Sequence, residues 1–161
     1  MAKELKTNAA RLLDKANEPY TLSTYEVDEN DLSAVHVARQ LGVDAVLLFK
    51  TLVLRGERNG LFVCVIPGNA EVDLKKAAKV SGDKKADLIA MKELLPLTGY
   101  IRGGCSPIGM KKRFPTYIDA QALNQSEIYI SAGIRGLQIK IAPENLIRFL
   151  NATVTDLTLL E

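Results

Sequence analysis

The feature that most constrains the fold of this chain is a pair of apolar runs. Ala45–Leu54 is its most hydrophobic stretch, and Gly56–Gly60 followed by Leu61–Ile66 makes it the first arm of a β-hairpin with a longer loop. Both arms read as buried strands. Inside the first sits one cation, Lys50, in Val-Leu-Leu-Phe-Lys-Thr-Leu-Val-Leu. A charge in a buried strand costs several kcal/mol unless it is paired or bound to something, so this lysine needs a reason. Two readings stand: a lysine snorkelling from a sheet edge, or a cleft lysine that meets a polar or anionic ligand.

The surrounding elements follow from caps, turns and periodicity. Thr7 caps a helix to about Asn17 with Ala9, Ala10, Leu12, Leu13 and Ala16 as its apolar stripe, closed off by Pro19. A strand is expected over Tyr20–Val27, with Tyr25 and Val27 on one face, directed toward the interior or a cleft. Ser33 to Gly42 reads as a helix burying Val35, Ala38 and Leu41, with His36 off that stripe as a surface residue. Asp73 caps a helix through Val80 whose Lys75, Lys76 and Lys79 form a solvated face. A strand at Ala86–Ala90 and a helix at Lys92–Thr98 come next, then strands at Thr116–Asp119, Glu127–Ser131 and Leu137–Ile141. Pro143 starts a last helix through Leu150, and Thr153–Leu159 adds a terminal strand. Strands and helices mix without a regular βαβ rhythm, and neither Gly-x-Gly-x-x-Gly nor a P-loop occurs. The expectation is therefore α+β: one compact domain over residues 1–161, with a mixed, largely antiparallel, barrel-like sheet flanked by helices.

Size supports a real core, since a domain of 161 residues buries roughly 70% of its extended-chain surface. The first residues lack the apolar core of a signal peptide and no run is long enough to span a membrane, which reads as cytoplasmic. Two cysteines, Cys64 and Cys105, and one histidine make a zinc site unsupported, and no cofactor is expected. A net charge of +2 does not announce a nucleic-acid partner, but Lys75/Lys76/Lys79, Lys84/Lys85 and Lys111–Arg113 are local basic clusters suited to transient contact with a polyanion.

One further stretch reads as a site: Gly103-Gly104-Cys105-Ser106-Pro107-Ile108-Gly109-Met110-Lys111-Lys112-Arg113. Its glycines let backbone approach a ligand, Pro107 stiffens the loop, and exposed peptide N–H groups there can hold a carbonyl oxygen or a phosphate. A plain Gly/Pro-rich turn before the next strand is the competing reading.

Taken with Phe49-Lys50-Thr51, Val72-Asp73-Leu74-Lys75-Lys76-Ala77-Ala78, Thr98-Gly99-Tyr100 and Ile128-Tyr129-Ile130-Ser131-Ala132-Gly133, that loop makes the chain resemble the YbaK/EbsC family of Cys-tRNA(Pro) deacylases, from about Thr7 to Asp156. The resemblance implies a domain like the editing insertion of bacterial prolyl-tRNA synthetases, acting in trans on mischarged tRNA. It implies that Lys50 is the essential lysine, reaching toward the tRNA 3′ end. Gly103 and Pro107 match the family's Gly-x-x-x-Pro loop, whose amides polarise the ester carbonyl as an oxyanion hole. Tyr25, Thr51, Gly104, Ser106 and Ser131 are similar to residues that line the aminoacyl pocket, and Lys111, Lys112 and Arg113 form a tRNA-facing flank. The implied mechanism needs no protein nucleophile, because the substrate's own thiol attacks its ester and leaves as a cyclic thiolactone. Cys105 is then a bystander. Gln138 stands where some relatives carry a carboxylate. The implied partners are aminoacyl-tRNA, tRNA(Pro) foremost, and prolyl-tRNA synthetase, but neither DNA nor a membrane. Deacylation of another small amino acid such as Ala-tRNA(Pro), or a non-catalytic tRNA-binding role, are the alternative readings.

Overall fold

The computed structural model describes residues 6–159. Within them, five α-helices and eight strands form an α+β fold with two sheets. In chain order they are α1 (Asn8–Lys15), β1 (Thr21–Thr24), α2 (Ala34–Leu41), β2 (Phe49–Gly56), β3 (Gly60–Pro67), α3 (Leu74–Ser81), β4 (Ala86–Leu88) and α4 (Leu94–Thr98). Then come β5 (Thr116–Asp119), β6 (Ile128–Ser131), β7 (Leu137–Ile141), α5 (Pro143–Leu150) and β8 (Thr153–Thr155).

The hairpin is the spine. Strands β2 and β3 pair antiparallel from Phe49 opposite Pro67 to Gly56 opposite Gly60. Its loop is shorter than the sequence suggested, only residues 57–59, because Asp83 gathers it. The Asp83 carboxylate accepts the amides of Arg58 and Asn59, each at 2.8 Å, and the Ser81 hydroxyl at 2.7 Å. The first arm also begins later than its apolar run, at Phe49. Asp44 accepts the amide of Val46 and caps a 3-10 turn over Ala45–Leu47, so local capping takes these residues out of the strand.

The five-stranded sheet runs β4-β2-β3-β5-β8, antiparallel around β2 and parallel from β3 through β5 to β8. The second sheet, β1-β7-β6, is antiparallel, and a parallel bridge between Leu48 and Tyr129 joins the two. The assembly is barrel-like without closing. Phe49, Val53, Val63, Val65 and Ile118 of the larger sheet pack with Ile128, Ile130, Ile139 and Ile141 of the smaller one. On the opposite face Leu54, Phe62, Cys64 and Ile66 pack against Ala77 and Ala78 of α3. Strand β3 is thus covered on both sides, which is why its sequence is continuously apolar and not alternating.

Several expectations shift at element ends. The first strand stops at Thr24, the fourth at Leu88 and the last at Thr155. In α2 the buried residues are Val37 and Ala38, while Val35 is 41% exposed. His36 is not a free surface residue. Its ring lies 3.8 Å from an Asp28 carboxylate oxygen and 3.7 Å from one of Asp31, with its side chain only 15% exposed. Lys76 likewise leaves its solvated row to donate to Asp156 and to the Thr158 carbonyl, both at 2.7 Å.

Candidate functional site: a cavity on the open edge of the central hairpin

Strand β4 pairs with Leu54–Gly56 and the Ile89 amide adds a bond to the Val53 carbonyl at 3.1 Å, so among the described residues the outer edge of β2 from Lys50 to Leu52 is paired with no strand. A cavity of about 420 Å³ runs along that edge. The second sheet contributes Ser131 of β6 and Gln138 of β7, the α2 end contributes Leu32 to Ala34 and Val37, and the β4–α4 segment contributes Leu88, Ile89, Met91 and Leu94. Arg102, Gly103 and Cys105 close it from the glycine loop.

Lys50 resolves its two sequence readings into one: it lies on an open strand edge and in a cleft at once. Its ammonium donates to the Gly68 carbonyl at 3.4 Å. Burial pulls its pKa below the ordinary 10.5, opposed by the nearby Glu71 carboxylate. Among the described residues no aspartate or glutamate lines the cavity, and Lys50 and Arg102 are its charged residues. The site is therefore prepared for an anionic or electron-rich ligand.

The glycine loop is held from behind. Gly103 has φ +84° and Gly109 φ +80°, conformations that favour glycine. A Cβ on Gly104 would lie 3.2 Å from the backbone of Ile134 and Arg135, so loop and β6–β7 turn touch through bare backbone. Ser106, fully buried, accepts the Ile108 amide at 3.2 Å. The Tyr100 hydroxyl donates to the Ile108 carbonyl, and burial pushes that phenol up to about 12, keeping it a donor. Arg135 Nε donates to the Arg102 carbonyl at 2.8 Å. With the Gly104 amide bonded to Ile101, the amides of Gly103, Cys105 and Ser106 have no acceptor among the described residues.

Of the residues proposed from sequence, Lys50, Thr51, Gly103 and Ser131 line this one cavity. Tyr25 instead packs against the cluster of Val37, Ala38, Leu48 and Tyr129. Gly104, Ser106 and Pro107 are buried behind the lining and shape the loop. Lys111, Lys112 and Arg113 are exposed beyond it. Sequence reasoning did not single out Arg102, although it directly precedes the loop, or the apolar wall from Leu88 to Leu94, which carries no chemical signal. Cys105 lines the cavity, but burial pushes its thiol up to about 12, so it is a protonated thiol and a poor nucleophile.

An unclosed α+β sandwich, a cleft whose described lining holds a half-buried lysine and no carboxylate, and a loop of amides without acceptors together make a pocket suited to an anionic or electron-rich ligand. The chain belongs to the aminoacyl-tRNA editing domain family, whose model matches residues 28–149. It is 49% identical over 153 residues to a protein of Enterococcus faecalis with the provisional name Cys-tRNA(Pro)/Cys-tRNA(Cys) deacylase EbsC, covering 95% of this chain and 93% of that one. It is also 30% identical over 104 residues to a proline–tRNA ligase of Thermosipho melanesiensis, covering 57% of this chain and 18% of the ligase. A crystal structure described provisionally as a trans-editing enzyme for prolyl tRNA synthetase shares the fold, with TM-score 0.80 over 96% of this chain and 99% of that one at 24% identity. Among the described residues no helix is long and apolar enough to cross a membrane.

Proposed function

We propose that this protein is a trans-editing hydrolase of the cytoplasm that deacylates mischarged Cys-tRNA(Pro), working alongside prolyl-tRNA synthetase. The observation that carries the reading is the pairing, in one cavity, of a lysine with loop amides that lack acceptors, in the absence of an activated protein nucleophile. Lys50 meets the phosphate or ribose of the tRNA 3′ end. The amides around Gly103 receive the ester carbonyl, and the oxyanion that develops on it is stabilised there. The substrate's cysteine sulfur, as thiolate, attacks its own ester carbon. A carbon–sulfur bond forms, the bond to the ribose oxygen breaks, that oxygen takes a proton, and cysteine leaves as a thiolactone. The protein supplies geometry and donors. Pro107 and Ser106 set the loop, Ser131 faces the amino-acid side chain, and Lys111, Lys112 and Arg113 lie where the acceptor stem approaches.

Incubation of the purified protein with Cys-tRNA(Pro) and Ala-tRNA(Pro) side by side tests this. Rapid loss of the cysteinyl ester alone is expected, and Cys105→Ala keeps the rate within about twofold because a thiol so buried contributes no thiolate. Stability of both esters at the buffer rate sinks the deacylase reading. Equal loss of both removes the thiol step and makes the substrate any small amino acid.

A further inference from the structure

Two buried side-chain oxygens have no hydrogen-bond partner among the described residues, Thr51 Oγ1 and Gln138 Oε1. Both belong to residues that line the same cavity, and they reach it from different sheets. Gln138 is 4% exposed in the middle strand of the smaller sheet, opposite Ser131 on one side and Ser23 on the other. Buried polar groups are nearly always paired, so two orphans in one cavity mark where ligand atoms complete the set. An amide oxygen only accepts, so the ligand group beside Gln138 must carry a hydrogen to donate. In an aminoacyl ester of cysteine the strong donor is the α-amino group, because a thiol donates weakly.

The charge around this position decides which form of the amine fits. Lys50 and Arg102 are cationic, and Cys105, the remaining titratable lining residue, is held neutral. Glu71 acts on Lys50 but lies outside the lining. Beside α2, Asp28, Asp31 and His36 lie against one another and are not lining residues either. An α-ammonium in this cavity would share it with two cations and only neutral acceptors, whereas the free amine keeps its hydrogen bonds without that repulsion.

We propose that Gln138 Oε1 binds the α-amino group of the aminoacyl ester in its uncharged form, so that the site selects its substrate by protonation state as well as by side chain. This rests on the aminoacyl-ester reading of the cavity. The test compares Cys-tRNA(Pro) with the same tRNA carrying a β-mercaptopropionyl ester, which keeps the thiol and the ester and lacks the α-amine. Wild-type turnover of the cysteinyl ester judges the deacylase reading by itself; the ratio between the two esters judges Gln138. Gln138→Ala lowers kcat/KM about tenfold on the cysteinyl ester, the worth of one hydrogen bond, and leaves the desamino ester within about twofold. Gln138→Glu, of the same shape and anionic, moves the acid limb of the cysteinyl pH profile about one unit lower by accepting the ammonium, with the desamino profile unmoved. Equal losses on both esters, or an acid limb that Gln138→Glu leaves in place, overturn the assignment. Should the alanine variant fail to fold, the glutamate pH profile decides alone.

Discussion

Lys50 is held against its own solvation. Burial keeps its pKa below 10.5, so the folded state binds this proton less readily than the unfolded chain does. The resulting cost is present in full below the lowered folded value and is relieved as pH rises from there toward 10.5. At neutral pH the buried charge is therefore a cost to stability. Lys50→Met, which keeps the stem and removes the charge, is expected to melt at a higher temperature in scanning calorimetry at pH 7. The same variant loses about 100-fold or more in deacylation, the scale of a deleted transition-state contact. A variant that melts lower would mean that the Gly68 contact and Glu71 outweigh desolvation. Deacylation unchanged in it would remove Lys50 from the catalytic assignment. The sequence exposed this residue because a single cation interrupts an apolar strand; Gln138 stood out only through the family resemblance, and its partnerless oxygen came from the tertiary structure.

At the scale of elements, the β2–β3 hairpin carries Lys50 and Thr51, and its far end is set by Asp83. The Ser81 hydroxyl foremost, with the Asn59 and Arg58 amides, holds this carboxyl below its ordinary 3.8. Its contribution is thus complete above pH 3.8 and is lost as pH falls through the lower folded value. Gly56 makes room for that carboxylate: a Cβ there would sit 2.0 Å from Asp83 Oδ2. Gly56→Ala must push the carboxylate off the loop amides, at an expected cost of about 1–3 kcal/mol in urea unfolding at pH 7. The loss between the wild type and this variant should shrink in acid, where the wild-type carboxylate is itself protonated. A difference that stays constant across that range would place the strain in the strand and not in the carboxylate. Gly56 was legible only as a loop glycine, because the residue that requires it is separated from it in sequence and joins it through α3.

Across the whole molecule, the C-terminal segment closes what the hairpin begins. Asp119, 1% exposed, accepts the Leu157 amide at 2.9 Å, and the Leu157 carbonyl accepts from Asp73 at 2.7 Å, at the start of α3. Leu157 itself is fully buried against the outer face of the large sheet. Leu157→Ala is expected to cost about 2–5 kcal/mol in urea unfolding, monitored by circular dichroism, because it leaves a cavity between α3 and the sheet. A cost near zero would mean that this segment is not part of the cooperative core. By itself the sequence determined the helix starts at Thr7, Ser33 and Asp73, the left-handed ends at Gly42 and Gly82, the hairpin and the suspect lysine, since caps, positive φ and apolar periodicity are encoded within a few residues. Only the tertiary structure decided that β4 stops short of Lys50–Leu52, that the smaller sheet brings Ser131 and Gln138 to that edge, and that the glycine loop closes over it. Those are contacts between residues far apart in the chain, chosen by how two sheets bury their shared core, and no local pattern carries that information.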